Sequence, residues 1–242
     1  MVEVEPRTSA DRGRATGPSV ADMSDATVRI VIVDDHRAFA ECLSIAIDTH
    51  AGLRCVGIAG TMADGLTLIE RLLPDIVCLD VRLPDGSGVE AISRIRALSP
   101  TSRVLILTAH MGSDVLTRAA HAGASGFLTK ESSVAMILGA VRAAMNGEIL
   151  VEQATLTSII RPLPRDVEQA TTHAAIKGRL TARELDVLRL MGEGLDPHAI
   201  AQRLAITYNT CRGYQKAIMA KWGTHSQLET VVVANRRGLL TR

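Results

Sequence analysis

Five short aliphatic runs lie between residues 28 and 128, and each is followed by a stretch in which apolar residues recur every three or four positions. Short apolar runs are typical of buried strands, and the longer spacing is typical of helices with one apolar face. Their alternation predicts a doubly wound α/β domain over residues 28–147, in which helices cover both faces of a five-stranded parallel sheet. Strands are predicted at residues 28–33, 53–59, 76–79, 103–107 and 126–128, and helices at residues 37–49, 62–73, 88–98, 113–121 and 133–145.

The pattern changes in the last third of the chain. Two prolines and a polar run between residues 148 and 179 predict a linker. From there on only helical spacing returns, and three helix starts carry capping sequences, at Thr181, Asp196 and Ser226. We therefore predict an all-α four-helix domain at residues 180–242.

Composition supports a folded chain and excludes several classes of protein. Hydrophobic residues make up 47% and aromatic residues only 2%, so the core must be aliphatic. No run approaches the ~18 consecutive apolar residues of a membrane span, and the start of the chain lacks the apolar run of a secretory signal. Residues 1–27 lack apolar periodicity and are predicted to be a disordered leader, with Met23 as an alternative start. The four cysteines form no C-x-x-C pair and three of them lie among apolar residues, which favours a cytoplasmic protein with reduced thiols. Neither they nor the seven histidines show zinc-ligand spacing, so no structural metal is expected.

Charge is distributed unevenly although the whole chain has a formal net charge of only +1. Residues 28–130 carry 10 basic and 11 acidic side chains, whereas residues 203–242 carry 7 basic and 1 acidic. A basic C-terminal segment indicates a polyanion as the partner of the second domain.

Polar side chains follow four of the five predicted strands. Asp34, Asp35 and Asp80 end strands, as does Thr108, and Lys130 lies just beyond the fifth strand. A single acid at a strand end is often only a cap, but the carboxyl ends of parallel strands meet at one edge of the sheet. Clustered carboxylates repel one another unless a cation lies among them. The sequence therefore predicts a Mg²⁺ site with Lys130 as counter-charge, where a carboxylate can attack an incoming phosphoryl group.

The same residues carry a resemblance to a family. The run I-V-D-D-H at residues 32–36, L-D-V-R-L-P-D-G at residues 79–86 and G-A-S-G-F-L-T-K at residues 123–130 resemble the receiver domain of bacterial two-component response regulators, which has a flavodoxin-like fold. The resemblance implies Asp80 as phospho-acceptor, Asp34 and Asp35 as Mg²⁺ ligands together with Asp80, Lys130 as phosphate contact, Thr108 as switch hydroxyl and Phe127 as switch aromatic. Arg82 and His110 fall where the family tunes the lifetime of the phosphoryl group.

The third helix of the second domain, predicted at residues 208–222, exposes cations at near-helical spacing. Arg212, Lys216 and, less regularly, Lys221 are predicted to be exposed, while Ile218 and Trp222 face the core. This arrangement is typical of the reading helix of a helix-turn-helix, whose exposed face enters the major groove. An ordinary solvated basic face has the same spacing, so spacing alone does not decide between them.

A second resemblance favours the DNA-binding alternative. The runs L-T-x-R-E at residues 180–184, I-A-x-x-L at residues 200–204 and K-x-G at residues 221–223 look like the LuxR-type DNA-binding domain, so the chain resembles response regulators of the NarL/FixJ type. The resemblance implies Arg212 and Lys216 as base contacts, Thr210 and Lys221 as phosphate contacts, and the helix at residues 226–237 as dimer surface. Cys211 and Gln215 stand where the family usually has Val, and Gln215 either packs inward or adds a polar base contact.

These observations predict a cytoplasmic transcription regulator, not an enzyme, with Mg²⁺ as cofactor. Its expected partners are a sensor histidine kinase, promoter DNA, RNA polymerase and a second copy of the chain, with no membrane involved. One alternative is an orphan regulator whose phospho-acceptor pocket is unused and which another ligand or partner switches. A more distant one is a phosphatase of the haloacid-dehalogenase type, which requires an acid where this chain has Arg82. The G-x-G-x-x-A sequence at residues 86–91 follows the third strand and not the first, so it indicates a loop and not a dinucleotide site.

Overall fold

The structure is a computed structural model that describes residues 27–109, 112–146, 148 and 180–240. The predicted leader, except residue 27, and the predicted linker, except residue 148, lie outside the described residues, as does His110. Within the described ranges, every helix is too short or too polar to cross a lipid bilayer.

Residues 28–145 form the predicted α/β architecture. Five parallel strands are ordered β2-β1-β3-β6-β7, which is the doubly wound order with its switch point between β1 and β3. The strands of this sheet are β1 (Val28–Val33), β2 (Leu53–Ala59), β3 (Ile76–Asp80), β6 (Arg103–Thr108) and β7 (Gly126–Thr129). The helices are α1 (Arg37–Asp48), α2 (Met62–Leu72), α3 (Gly88–Leu98), α4 (Ser113–Ala122) and α5 (Val134–Met145).

One small element was not predicted from the sequence. β4 (Arg82–Leu83) and β5 (Gly86–Ser87) form a two-stranded antiparallel ladder between β3 and α3. A two-residue connection joins the strands, and Gly86 adopts φ +155°, which a side chain would disfavour. The ladder gives the loop beside Asp80 a fixed shape.

The sheet is buried on both faces, as its continuous aliphatic runs predict. Alternate residues of β1 point to opposite sides, so Val31 and Val33 face one layer and Ile30 and Ile32 the other. α1 and α5 cover the Ile30 face, and α2, α3 and α4 cover the Val31 face. Aliphatic burial on this scale fixes the strand directions and therefore the edge at which the strand ends meet.

The C-terminal part is all-helical, as predicted, with α6 (Ala182–Gly192), α7 (Pro197–Leu204), α8 (Tyr208–Trp222) and α9 (Gln227–Arg236). Thr181 and Glu184 form the predicted capping box at the start of α6. Ser226 caps α9 through the amide of Glu229, but the Glu229 carboxylate accepts from the amide of His225, so the second predicted box is only half formed.

Candidate metal centre and nucleic-acid interface

The carboxyl ends of β1, β3 and β7 bring one ammonium between two buried carboxylates. Lys130 Nζ lies 2.6 Å from Asp80 Oδ2 and 2.8 Å from Asp34 Oδ1. Asp34 is 2% exposed and Asp80 is 5% exposed. Burial opposes the charge on Lys130, but the hydrogen bonds to Asp34 and Asp80 outweigh it and raise the pKa of the ammonium. The pocket therefore keeps a cation beside both acids.

The acids carry more negative charge than this ammonium neutralises. Asp35 and His36 lie at the exposed mouth of the pocket, and one ligand atom from each of Asp34, Asp35, His36 and Asp80 lies within 4.8 Å of the others. Asp34 Oδ2 is buried and lies 2.8 Å from Lys130 Nζ, so this one ammonium contacts both oxygens of the carboxylate. Carboxylate oxygens are the donors that hard divalent cations prefer, so these residues fit a Mg²⁺ ion.

Thr108 and Phe127 lie in the sheet behind the pocket. Thr108 ends β6 with 3% of its surface exposed, and its carbonyl accepts from the Lys130 amide at 2.9 Å. Phe127, on the edge strand β7, pairs with Ile106 of β6 and is 2% exposed, so its ring is buried. The switch roles of both residues remain predictions.

Two residues that shape the pocket have roles that the sequence did not reveal. A Cβ on Gly88 would lie 2.0 Å from the carbonyl oxygen of Asp80, so only glycine allows α3 to begin so close to the end of β3. Asp85 accepts from the amides of Met62 and Ala63 at 2.7 and 2.9 Å, and these bonds lower the pKa of its carboxyl group. Asp85 thus fastens the loop beside Asp80 to the start of α2, 22 or more residues away, and no local pattern marks such a contact.

The predicted DNA contacts on α8 differ in how exposed their side chains are. Lys216 and Thr210 are exposed, and the Thr210 hydroxyl lies 2.8 Å from that of Thr207 at the helix start. Arg212 is half-buried and donates to Gln215 Oε1 at 3.3 Å. Lys221 is exposed as well, so Arg212 is the partly covered side chain among these four.

Of the two alternatives for Gln215, the structure supports inward packing and contradicts the predicted DNA contact. Its side chain is 0% exposed and packs against α9, where Gln227 Nε2 donates to Gln215 Oε1 at 3.0 Å. A buried amide must be hydrogen-bonded, and this second amide satisfies it inside the domain. The inward position that family members fill with Val is therefore filled here by a polar pair.

Lys221 also has an intramolecular partner. Its ammonium lies 2.6 Å from Glu184 Oε2, and Glu184 is 4% exposed. Burial raises the pKa of Glu184, but the hydrogen bonds from Lys221 and from the Thr181 backbone outweigh it, so the pKa lies below its ordinary value. Lys221 stabilises the capping box of α6 in this arrangement.

The helical part contacts the α/β part at the edge opposite the pocket, where the strands begin. Arg103, the first residue of β6, donates to the His225 carbonyl at 2.8 Å, and Ser226 Oγ donates to the Ala124 carbonyl at 2.8 Å. Tyr208, the first residue of α8, donates to Glu148 Oε1 at 3.4 Å. α9, predicted to be a dimer surface, packs against α4 of the same chain.

Comparisons with known proteins cover both parts. Residues 30–142 match the family described as "Response regulator receiver domain", and residues 178–234 match "Bacterial regulatory proteins, luxR family". The chain is 30% identical over 207 residues to "DNA-binding transcriptional activator DevR/DosR" of Mycobacterium tuberculosis, covering 86% of this chain and 94% of that protein. It is 30% identical over 203 residues to "Nitrate/nitrite response regulator protein NarL" of Escherichia coli, covering 84% and 93%.

A solved structure shares the fold over most of the chain. It holds two RcsB dimers bound to two parallel DNAs, and it superposes with a TM-score of 0.52 at 19% identity, covering 85% of this chain and 96% of that one.

Proposed function

Because this chain belongs to the transcriptional response regulators that join a receiver domain to a LuxR-type DNA-binding domain, we propose that phosphorylation of Asp80 controls its binding to DNA. The receiver domain comprises residues 28–147 and the DNA-binding domain residues 180–242. The observation that carries the proposal is the ammonium of Lys130 held between Asp34 and Asp80 at 2.6–2.8 Å.

Asp80 is the phospho-acceptor in this proposal. Its carboxylate oxygen attacks the phosphorus of a phosphohistidine on a sensor histidine kinase, so a P–O bond forms as the P–N bond breaks. Lys130 offsets the charge of the transferred oxygens, since its ammonium already contacts Asp80 Oδ2. Asp34, Asp35 and Asp80 would hold Mg²⁺, which supplies charge neutralisation when it is bound.

The DNA-binding domain meets the duplex through α8. Arg212 and Lys216 contact bases and Thr210 contacts phosphate, while Lys221 reaches phosphate only by leaving Glu184. Tyr208 and α9 contact the receiver domain in this structure. In the proposal, phosphorylation of Asp80 releases the DNA-binding domain from these contacts, which frees α8 for promoter DNA and α9 for a second copy of the chain. RcsB dimers bound to DNA support that assembly. In this proposal the protein acts in the cytoplasm, with RNA polymerase as a further partner.

The phosphorylation step is tested by intact mass spectrometry after incubation with a small phosphodonor and Mg²⁺. The wild-type chain should gain one phosphoryl group and Asp80→Asn none, because the amide cannot act as the nucleophile. A gain of the same size in Asp80→Asn would place the acceptor elsewhere. Asp64→Asn, which changes an exposed acid on α2, is the matched control and should be phosphorylated normally.

The groove assignment is tested by selecting bound sequences from random duplex DNA. Arg212→Ala should relax the preference at one position, by roughly 1–3 kcal/mol if the contact is bidentate. An unchanged selected sequence would remove Arg212 from the base-reading set.

A further inference from the structure

We infer that the buried amide pair of Gln215 and Gln227 positions the guanidinium group of Arg212 for base recognition. The inference rests on the proposed function, because it takes Arg212 to contact a base. Neither glutamine touches the DNA in this arrangement. Both act through Arg212, and they thereby set how strongly the reading helix prefers one base at one position of its site.

The two amides bind each other inside the DNA-binding domain. Gln227 Nε2 donates to Gln215 Oε1 at 3.0 Å, and Gln215 Nε2 donates to Gln227 Oε1 at 3.5 Å. Gln215 is 0% exposed and Gln227 is 5% exposed, so water does not compete for these bonds. Because each amide gives an N–H group and receives an oxygen, the pair fixes where Gln215 presents its oxygen atom.

Arg212 uses that same oxygen atom. Its Nη1 donates to Gln215 Oε1 at 3.3 Å, so Oε1 accepts from Arg212 and from Gln227 together. A carbonyl oxygen has two lone pairs and can serve both donors, whereas a guanidinium carries only donors and cannot bind the NH₂ end of an amide. Gln227 therefore holds Gln215 in the orientation that Arg212 requires.

The elements that place these three side chains all belong to the DNA-binding domain. Arg212 and Gln215 are three positions apart on α8, so their side chains are neighbours on the helix surface. Gln227 is the first residue of α9, and Ser226 caps that helix through the amide of Glu229. The amide pair and its bond to Arg212 can therefore persist when the domain leaves the receiver domain.

The amides are not required to fill the space between α8 and α9. Cys211 and Ile218, on the same side of α8 as Gln215, pack there with apolar side chains. Replacing two bonded polar groups by apolar groups of the same shape is nearly neutral for stability. What the amides add is an acceptor for Arg212. Holding Nη1 reduces the freedom that a long side chain loses on binding, and the guanidinium has further N–H groups for the two acceptors of a guanine edge.

The test selects bound sequences from random duplex DNA with the full chain, after treatment with a small phosphodonor and Mg²⁺. Gln215→Met/Gln227→Met replaces both amides by side chains of similar length and shape, which keeps the packing and removes Oε1. At the position where Arg212→Ala relaxes the base preference, we expect this variant to lower the preference roughly three- to tenfold, as for the loss of one hydrogen bond. Adding Arg212→Ala should cause no further change from Arg212→Ala alone, since the amides act through Arg212.

Two single substitutions separate positioning from packing. Gln227→Met leaves Gln215 Oε1 in place but removes its support, so the preference at the same position should fall by less than in the double variant. Thr230→Val is the matched control, because Thr230 is also buried on α9 and its hydroxyl lies 2.7 Å from that of Thr224. It removes a buried polar contact that does not involve Arg212, and it should leave the selected sequence unchanged.

The outcomes distinguish the inference from the proposed function. If the double variant keeps the wild-type preference at the Arg212 position, or loses preference equally at every position, the positioning role is overturned and Arg212 remains a base contact. If Gln227→Met matches the wild type, the role of Gln227 is overturned. If Arg212→Ala itself changes no position of the selected sequence, both the inference and the base contact assigned to Arg212 are overturned.

Discussion

The two ends of the parallel sheet differ in what their polar groups contact. At the carboxyl end, Asp34 and Asp80 close on Lys130 within the receiver domain. At the amino end, Arg103 reaches across to the DNA-binding domain. β6 connects the two, with Arg103 at its start and Thr108 at its end, about 17 Å apart for an extended strand of this length.

The phosphorylation pocket and the contacts to the DNA-binding domain therefore lie at opposite ends of the sheet. A phosphoryl group on Asp80 touches none of the contacts to the DNA-binding domain described above, so it affects them only through elements that run between the two ends. Phosphorylation shifts the equilibrium between the docked and the released DNA-binding domain only as far as it favours one of these two arrangements over the other. The three substitutions below act on the pocket, on the DNA-binding domain and on the contact between them.

The largest expected effect is at the carboxyl end. In Gly88→Ala the added methyl group would lie 2.0 Å from the backbone oxygen of Asp80, which cannot move without displacing the end of β3. We expect the free energy of unfolding to fall by at least about 1–3 kcal/mol, together with loss of phosphorylation. Chemical denaturation and intact mass measure the two effects.

Gly139→Ala is the control for that substitution. A Cβ at this position in α5 meets nothing within 4 Å. The variant should be as stable as the wild type or gain about 0.5–1 kcal/mol, because alanine restricts the unfolded chain. Equal losses of stability in Gly88→Ala and Gly139→Ala would show that the contact between position 88 and the Asp80 carbonyl is not the cause.

An intermediate effect is expected inside the DNA-binding domain. Lys221→Met removes the ammonium from the buried carboxylate of Glu184. Leaving that acceptor with fewer partners should lower the free energy of unfolding by about 1–3 kcal/mol. Lys216→Met removes the same charge from an exposed position and should leave stability within about 0.5 kcal/mol, while reducing the salt dependence of DNA binding by about one counterion.

The Glu184 contribution also has a pH dependence. Its pKa is lower in the folded chain than in the unfolded chain, so its stabilisation is complete above the ordinary glutamate pKa of about 4.3. It is lost as the pH falls through the lowered value. The free energy of unfolding of the wild type and of Lys221→Met should therefore differ at neutral pH, and this difference should become smaller in acid. A difference that stays constant with pH would contradict the ion pair.

The smallest effect is expected at the amino end. Glu148→Gln weakens the acceptor of the Tyr208 hydroxyl, a single long hydrogen bond between the domains. DNA affinity of the unphosphorylated chain should rise about two- to fivefold, equivalent to about 0.5–1 kcal/mol. Titration with a fluorescent duplex measures this change, and Glu90→Gln, an exposed acid on α3, is the control. Unchanged or weaker binding by Glu148→Gln would mean that this contact does not restrain α8.

The same comparison separates what the sequence predicts from what it leaves open. The carboxyl-end pocket is predictable because strand direction is set by continuous aliphatic runs, and parallel strands deliver Asp34, Asp80 and Lys130 to one edge. The amino-end contacts are not, since Tyr208 and Glu148 are 60 positions apart and nothing in either segment marks the other.

Polar residues at apolar positions limit prediction in a second way. The spacing of α8 places Gln215 on the same side as the buried residues Cys211 and Ile218, but its polar side chain leaves a base contact open, and only the amide of Gln227 shows how it is hydrogen-bonded inside the domain. Lys221 follows Lys216 by five positions, which is off the helical period of the DNA-facing cations, and its ammonium contacts Glu184. Long-range polar partners, which carry no periodic signal, account for both differences.

The central claim is tested most directly by one titration of random-sequence duplex DNA, made on a single sample before and after treatment with a small phosphodonor and Mg²⁺. Intact mass on the same sample gives the phosphorylated fraction. The account predicts that DNA binding rises in proportion to that fraction and does not change in Asp80→Asn. A full gain of one phosphoryl group with unchanged DNA binding would contradict it.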